Sequence, residues 1–87
     1  MPNPLWLRAE AGVRGLIEYV TRGLVAQPDA VEVAEVPSGR MTRYEISVAE
    51  EDVGKIIGRQ GKVIRALRTL VKASATRQGT RVDVDVV

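Results

Sequence analysis

Two glycines three positions apart, Gly58 and Gly61, enclose an arginine and a glutamine in the segment Gly58-Arg59-Gln60-Gly61. Glycine accepts positive φ angles and leaves no side chain over the backbone, so a bulky group such as a sugar-phosphate chain could approach closely. Lys62 follows at once, and Arg65 lies one helical turn further on. This spacing predicts that backbone N–H groups and cationic side chains hold an anion here.

The charge around this segment is uneven. Between Gly54 and Val82 there are eight Lys or Arg residues and no Asp or Glu, whereas residues 1–53 hold five basic and nine acidic residues. A basic region of this kind is typical of proteins with a polyanionic partner. Charge alone leaves open a second interpretation, in which the basic side chains only form a solvated helix face.

The composition excludes several classes of chemistry. The chain has 87 residues, enough for one domain, and contains neither Cys nor His. This removes disulfides, almost every zinc or haem site, and the usual nucleophile and general base of hydrolases, so we expect no cofactor, no metal and no enzyme. The acids Glu50, Glu51 and Asp52 are better explained by the positive end of a helix than by a metal site. With no disulfide, no leader sequence and no apolar run of about 20 residues, a cytoplasmic protein without a membrane segment is expected.

Periodicity and turn residues predict three helices and three strands in the order α-β-β-α-α-β. The predicted ranges are a helix from Glu10 to Ala26, strands Ala30–Val36 and Met41–Val48, a short helix from Ala49 to Gly58, a helix from Lys62 to Arg77, and a strand Arg81–Val87. Pro37, Ser38, Gly39 and Arg40 form the predicted turn between the first two strands, and Gly79 is the predicted stop after the long helix.

The same periodicities of apolar residues predict which side chains of the helices and strands are buried. Tyr44 alternates with core residues of its strand, so no exposed aromatic platform for base stacking is expected. The first helix is expected to bury Val13, Leu16, Ile17, Val20, Leu24 and Val25, and the long helix Val63, Ala66, Leu67, Leu70, Val71 and Ser74.

A Gly-x-x-Gly segment alone marks many helix corners, but its flanks here are distinctive. The stretch Ile56-Ile57-Gly58-Arg59-Gln60-Gly61-Lys62-Val63-Ile64 resembles the signature of a KH domain, and the order of elements resembles its type II form. From about Gly15 to Val87 the chain is similar to the bacterial KhpA (YlqC-like) family of small stand-alone KH proteins. The segments Leu16–Val20, Pro28–Val33, Val48–Gly58 and Arg68–Ala73 carry that similarity.

The resemblance implies an α+β fold in which a three-stranded mixed sheet packs on three helices, with the last strand parallel to the central one. It also implies a groove for about four unpaired RNA nucleotides. One wall would be the helix pair and its glycine loop (residues 53–65), and the other a sheet edge and the variable loop 76–80. Family members resemble one another in acting as RNA chaperones and in pairing with a larger KH protein, KhpB (Jag or EloR). They are linked to cell shape and peptidoglycan synthesis.

Residues 13–87 are therefore expected to form a single-stranded RNA-binding KH domain after an N-terminal extension, residues 1–12, that carries Trp6. Because one short site binds weakly, a homodimer or a heterodimer with a KhpB-like protein is expected, and no small-molecule substrate. The alternative is a KH-fold protein-interaction module. Of Ile56 and Ile57, one must face the core, and Arg68 and Lys72 are either solvated or bind a partner. The predicted RNA-binding residues are Gly54, Lys55, Ile57, Gly58, Arg59, Gln60, Gly61, Lys62 and Arg65.

Overall fold

The computed structural model describes residues 12–77 and 79–87. Most of the predicted N-terminal extension, with Trp6 and the predicted helix start at Glu10, lies outside the described residues. The helices and strands are α1 (Gly12–Leu24), β1 (Glu32–Ser38), β2 (Met41–Ser47), α2 (Val53–Ile57), α3 (Lys62–Arg77) and β3 (Arg81–Val86). This order confirms the α-β-β-α-α-β prediction. No helix in these two ranges is long and apolar enough to cross a bilayer.

The strands form one mixed sheet in the order β1-β2-β3. β1 and β2 run antiparallel with Val33 opposite Ile46, while β2 and β3 run parallel with Tyr44 opposite Val84. Parallel neighbours need a crossover connection, which here consists of α2, α3 and the loop between them. The predicted α+β fold, with a three-stranded mixed sheet and three helices, is confirmed.

The hairpin between β1 and β2 is tighter than the sequence indicates. β1 extends past the predicted range Ala30–Val36, because Pro37 and Ser38 still pair with β2. Proline lacks an N–H group and is tolerated on an edge strand, which β1 is. The chain therefore reverses direction over two residues, Gly39, which has a φ of 62°, and Arg40.

The predicted limits of α3, Lys62 and Arg77, are confirmed. Beyond its end, Gly79 adopts a φ of 75°. The Gly79 N–H donates to the Thr76 carbonyl at 3.0 Å, and the Thr80 N–H donates to the Ala75 carbonyl at 2.9 Å. This is the Schellman pattern, in which a left-handed glycine satisfies the last carbonyls of a helix.

The predicted buried face of α3 is confirmed at Leu67 and Val71 and wrong at its other four positions. Leu70 is 47% exposed and Ala66 is exposed, and Ser74 and Val63 are only partly buried. The sequence offers two overlapping apolar stripes on this helix, and only packing against the sheet selects between them. In α1, likewise, Leu24 is exposed and Thr21 is buried. The residues of α3 that enter the core are Ile64, Leu67, Val71 and Ala75, which join Ile17, Val33, Tyr44, Ile46, Ile56, Val82 and Val84.

Candidate functional site

The Gly58–Gly61 loop joins α2 to α3 in a backbone conformation that needs glycine. Gly58 and Gly61 both have a φ of 74°, and Gln60 between them has a φ of 57°. The Gly58 N–H donates to the Gly54 carbonyl at 2.8 Å, and the Gly61 N–H donates to the Gly58 carbonyl at 3.1 Å. Three of four residues thus occupy a region that L side chains rarely adopt, so the loop has a fixed and sharply turned backbone.

The two glycines have different surroundings. A Cβ atom on Gly58 would lie 2.8 Å from the Cβ of Val63 and 2.9 Å from its backbone N, closer than real contacts allow. A Cβ on Gly61 would meet only the Ile64 Cγ2, at 4.0 Å. Gly58 is therefore required for the approach of α3 to the loop, while Gly61 is required only for its φ.

Arg65 is engaged with the loop itself. Its Nη2 donates to the backbone carbonyl of Gln60 at 2.8 Å. Among the described residues, Gln60 is the one non-glycine position with a positive φ. The guanidinium thereby holds the unfavourable turn in place, whereas its spacing in the sequence predicts only an anion ligand.

The other predicted cations divide into two groups. Arg59 and Lys62 are exposed, and neither makes a hydrogen bond or ion pair within the part of the chain that the structure describes. Lys55, in contrast, lies 3.2 Å from a carboxylate oxygen of Asp52. The cations available at the start of α3 are therefore Arg59 and Lys62, which flank the loop.

Asp52, expected only to lie at the positive end of a helix, has a structural role. Its side chain is fully buried, and its two oxygens accept the N–H groups of Ala26 at 3.0 Å and Gln27 at 3.1 Å. These bonds hold the pKa of the carboxyl below its ordinary value, with a smaller contribution from Lys55. Asp52 ties the segment after α1 to the start of α2, and no local pattern could have revealed a contact across 25 residues.

The two isoleucines before the loop, Ile56 and Ile57, lie in different environments. Ile56 is fully buried in the core, and Ile57 is 39% exposed beside the loop. Gly54 is exposed with open space where a side chain would be. The exposed side of α2 thus presents Gly54 and Ile57, both predicted site residues, as a smooth and partly apolar surface.

Arg68 connects α3 to β3. Its Nε donates to the Val84 carbonyl at 2.8 Å, and its Nη2 lies 3.7 Å from Asp85. Asp85 also pairs with Arg43 at 2.8 Å, and these contacts hold its pKa below its ordinary value, the hydrogen bond from Arg43 first. The guanidinium of Arg68 is thus engaged with β3. It is neither freely solvated nor free to bind a partner, the two roles that the sequence suggests for it.

Near the predicted variable loop, a cavity of about 240 Å³ lies between α3 and the start of β3. Lys72 and Arg81 contribute basic side chains to it, so a second region of positive charge accompanies the cavity. Its other lining residues are Met41, Thr76, Thr80 and Val82.

A third surface is apolar. A groove of about 340 Å³ with few polar atoms lies between α1 and α3, lined by apolar residues outside the fully buried core. We call this surface the apolar strip and define it by Val20, Leu24, Val63, Ala66 and Leu70. It borders Lys62, so it lies beside the loop. Across residues 12–77 and 79–87, no three acidic, His or Cys side chains are grouped to hold a metal ion.

The known proteins with similar sequences belong to one family. A family model described as "KhpA/KhpB, KH domain" matches residues 14–86. The chain is 44% identical over 72 residues to the RNA-binding protein KhpA of Caldanaerobacter subterraneus, which spans 83% of this chain and 96% of the relative. It is 40% identical over 75 residues to the protein of the same name from Clostridium acetobutylicum, spanning 86% of this chain and 100% of the relative.

A solved structure shows the same fold at low sequence identity. The crystal structure of Era from Aquifex aeolicus superposes with a TM-score of 0.60 and 16% identity. The match covers 85% of this chain and 29% of the Era chain. At this identity the likeness concerns the fold alone.

Proposed function

The chain belongs to the KhpA/KhpB family of KH-domain proteins, and on that basis we propose that it binds single-stranded RNA through the Gly58–Gly61 loop. Its relatives are named as RNA-binding proteins and not as enzymes. The proposed site holds about four unpaired nucleotides, as Gly-x-x-Gly loops of KH domains do. Residues 13–87 form the proposed domain.

The observation that carries this proposal is the geometry of the loop. Positive φ angles at Gly58, Gln60 and Gly61 turn the backbone sharply, and the two glycines place no side chain of their own over it. Arg59 and Lys62 flank that backbone without a partner of their own among the described residues. The N–H groups of Gly58 and Gly61 already donate to backbone carbonyls, so an RNA phosphate would meet the N–H groups of Arg59 and Gln60 together with the two free cations.

The remaining predicted residues have supporting roles in this proposal. Gly54 and Ile57 provide the surface on which a sugar or base would lie. Arg65 holds the loop, and Lys55, 3.2 Å from Asp52 and half exposed, keeps further N–H donors for RNA. The contact is made mainly with the RNA backbone, so the sequence preference of the loop itself is low.

The biological role that we propose is that of an RNA chaperone or post-transcriptional regulator. The support is the family resemblance, which includes a link to cell shape and peptidoglycan synthesis through effects on RNA. A single site for four nucleotides binds weakly, and a protein that remodels RNA benefits from contacts that form and break easily.

A test of the site replaces the two middle residues of the loop and keeps both glycines. Asp is compatible with the left-handed conformation at position 60, so Arg59→Asp with Gln60→Asp preserves the backbone. We expect a loss of affinity for an unpaired RNA octamer of about tenfold or more, since three units of charge change next to the phosphates. Fluorescence anisotropy measures this.

The matched control is Ser38→Asp with Arg40→Asp, which changes the net charge equally at the β1–β2 turn. It should bind RNA with nearly the wild-type affinity, because it only alters the long-range field. Equal losses in the two double variants would show that charge, and not the loop, determines binding, and unchanged binding by the loop variant would overturn the proposal.

The apolar strip favours a second activity, the protein interaction that the sequence left as an alternative. Leu24 and Leu70 are 42% and 47% exposed on adjacent helices and belong to one contiguous apolar groove, a feature typical of protein-interaction sites. We propose that a second KH domain docks here, either another copy of this chain or a KhpB-like protein. Two RNA sites linked in this way gain affinity through effective concentration.

Replacement of one residue tests the docking surface. Leu70→Glu should shift a sedimentation profile from dimer to monomer, because a charge would be buried in an apolar contact. Leu70→Met keeps the apolar character and should keep the dimer. If wild-type protein remains monomeric at all accessible concentrations, a homodimer is excluded, and mixing with a KhpB-like KH domain tests the heterodimer.

A further inference from the structure

A hollow of about 600 Å³ lies along the last two turns of α1. Among the described residues its lining comes from this helix alone and consists of Tyr19, Val20, Arg22, Gly23 and Leu24. Tyr19 and Leu24 are 54% and 42% exposed, and open space surrounds the position that a Cβ on Gly23 would take. We call this surface the α1 hollow. It is mostly apolar, and it shares Val20 and Leu24 with the apolar strip.

The sequence also holds a run of three apolar residues before the domain. Leu5, Trp6 and Leu7 are consecutive, and Trp6 is the one tryptophan of the chain. A tryptophan buries about 150–250 Å² when it is covered, and adjacent apolar side chains are unfavourable in water. The family model begins at residue 14, and 75 residues of this chain match 100% of the Clostridium acetobutylicum relative. Residues 5–7 therefore lie outside the part of the chain that is shared with that relative.

The start of α1 determines the direction from which the preceding chain arrives. Gly12, the first residue of the helix, has a φ of 52°, whereas residues within a helix have a φ of about −63°. A left-handed glycine at this point makes the chain enter the helix through a sharp corner and not along its axis. Residues before Gly12 can therefore double back beside α1.

The number of residues on each side of Gly12 matches the position of the hollow. Trp6 is six residues before Gly12, which spans about 9 Å if those residues are helical and up to about 20 Å if they are extended. Tyr19 and Leu24 follow Gly12 by seven and twelve residues, which is about 10 Å and 18 Å along the axis of α1. Both conformations would thus bring Trp6 level with the α1 hollow.

We propose that Leu5, Trp6 and Leu7 pack into the α1 hollow of the same chain and so compete with a second KH domain for the apolar strip. The competition follows from Val20 and Leu24, which line both surfaces and cannot be covered by two occupants at once. It rests on the proposed docking of a second domain, whereas the packing of residues 5–7 on α1 does not. The N-terminal segment is then an internal regulator of assembly.

The fluorescence of Trp6 in dilute protein tests the packing, because no other tryptophan contributes. In the full chain its emission should lie at a shorter wavelength than in the urea-unfolded chain, since the indole is covered. Tyr19→Glu places a charge in the hollow and should move the emission toward the unfolded value. Leu70→Glu is the matched control, because it introduces the same residue at a similarly exposed position outside the hollow, and it should leave the emission unchanged.

Trp6→Gln tests the competition. If residues 5–7 cover the hollow in at least half of the molecules, their release should tighten association with a second KH domain at least about twofold. Sedimentation measures this with another copy of the chain or, where the wild type stays monomeric, with a KhpB-like KH domain. Asn3→Gln, an uncharged replacement in the same part of the chain, should leave the dissociation constant unchanged.

The outcomes separate the packing from the competition. Native emission equal to that of the unfolded chain, or equal shifts in Tyr19→Glu and Leu70→Glu, would overturn the packing. Emission that changes with protein concentration would place the segment on a second copy and overturn the contact within one chain.

Equal association by Trp6→Gln and the wild type would overturn the competition. If neither protein associates with either partner, the docking of a second domain fails together with the competition, while the emission of Trp6 still decides whether residues 5–7 pack on α1. Circular dichroism of each variant establishes that the fold is retained.

Discussion

The guanidinium of Arg65 donates a hydrogen bond to the backbone carbonyl of Gln60, 2.8 Å away, and so fixes the turn that precedes α3. We predict that Arg65→Met weakens RNA binding without changing its salt dependence. Loss of a phosphate contact at Lys62, in Lys62→Met, should lower the slope of log affinity against log salt by about 0.7. Titrations at several salt concentrations measure both variants.

For Arg65→Lys we expect partial recovery, because an ammonium group can still donate to the Gln60 carbonyl with less defined geometry. If Arg65→Met and Lys62→Met lower the salt slope equally, Arg65 contacts phosphate directly and its proposed positioning role is wrong.

The two glycines of the loop should differ in their contribution to stability. Alanine at a left-handed position costs about 1–2 kcal/mol, which is the expected effect of Gly61→Ala. Gly58→Ala adds a collision with Val63, so we expect a total of about 2–4 kcal/mol. Urea denaturation measures both.

Gly54→Ala serves as the reference for these variants, since its backbone is helical and open space surrounds it. It should be neutral or slightly stabilising, by up to about 1 kcal/mol. Equal destabilisation by Gly58→Ala and Gly61→Ala would contradict the close approach of Val63.

Because of Asp52, the free energy of unfolding should depend on pH in the acidic range. Its pKa is lowered in the folded protein, mainly by the Ala26 N–H. The stabilisation is therefore complete above the unfolded-state pKa of about 3.9 and is lost as the pH falls through the lower folded-state pKa. In Asp52→Asn, the melting temperature at neutral pH should fall, because an amide cannot accept both N–H groups as a carboxylate does.

The same variant should lose less further stability than the wild type when acidified from about pH 7 to pH 2, since the titrating group is gone. Glu50→Gln, an exposed neighbour, should retain the wild-type profile. A wild-type acid profile in Asp52→Asn would mean that other carboxyl groups, such as Asp85, account for the acid dependence.

The orientation of α3 gives a further prediction. Leu67→Ala empties a core position and should cost about 2–5 kcal/mol. Leu70→Ala, at a half-exposed position, should cost about 0.5 kcal/mol or less in dilute protein. Thermal unfolding at low and high protein concentration tests this, and a large cost for Leu70→Ala in dilute protein would contradict the observed helix face.

Much of this fold could be predicted because local rules coincide with the tertiary structure. The limits of α3 are set by glycine conformation at Gly61 and Gly79, and the burial of Tyr44 follows from strand alternation. The face of α3 could not be predicted, since Ile64 and Val63 are equally apolar and only the sheet distinguishes them. The loop was found from its glycines, but not the internal role of Arg65 or the burial of Asp52. The Arg65 side chain reaches a carbonyl outside its own helix, five residues back, and Asp52 bonds backbone groups 25 and 26 residues away, so neither contact follows from a local pattern.

The parallel pairing of β2 with β3 has a consequence for how the protein folds. These strands are adjacent in the sheet, yet the whole of α2 and α3 separates them along the chain. Such a non-local pairing forms late and slowly. The ends of the long segment between the two strands must come together, at a cost in chain entropy, before the strand contacts can stabilise the pairing. The Gly58–Gly61 loop lies within that closed segment, so its final geometry depends on completion of the sheet. We therefore expect RNA to bind the folded chain and not partly folded intermediates, and added RNA to slow unfolding more than it speeds folding.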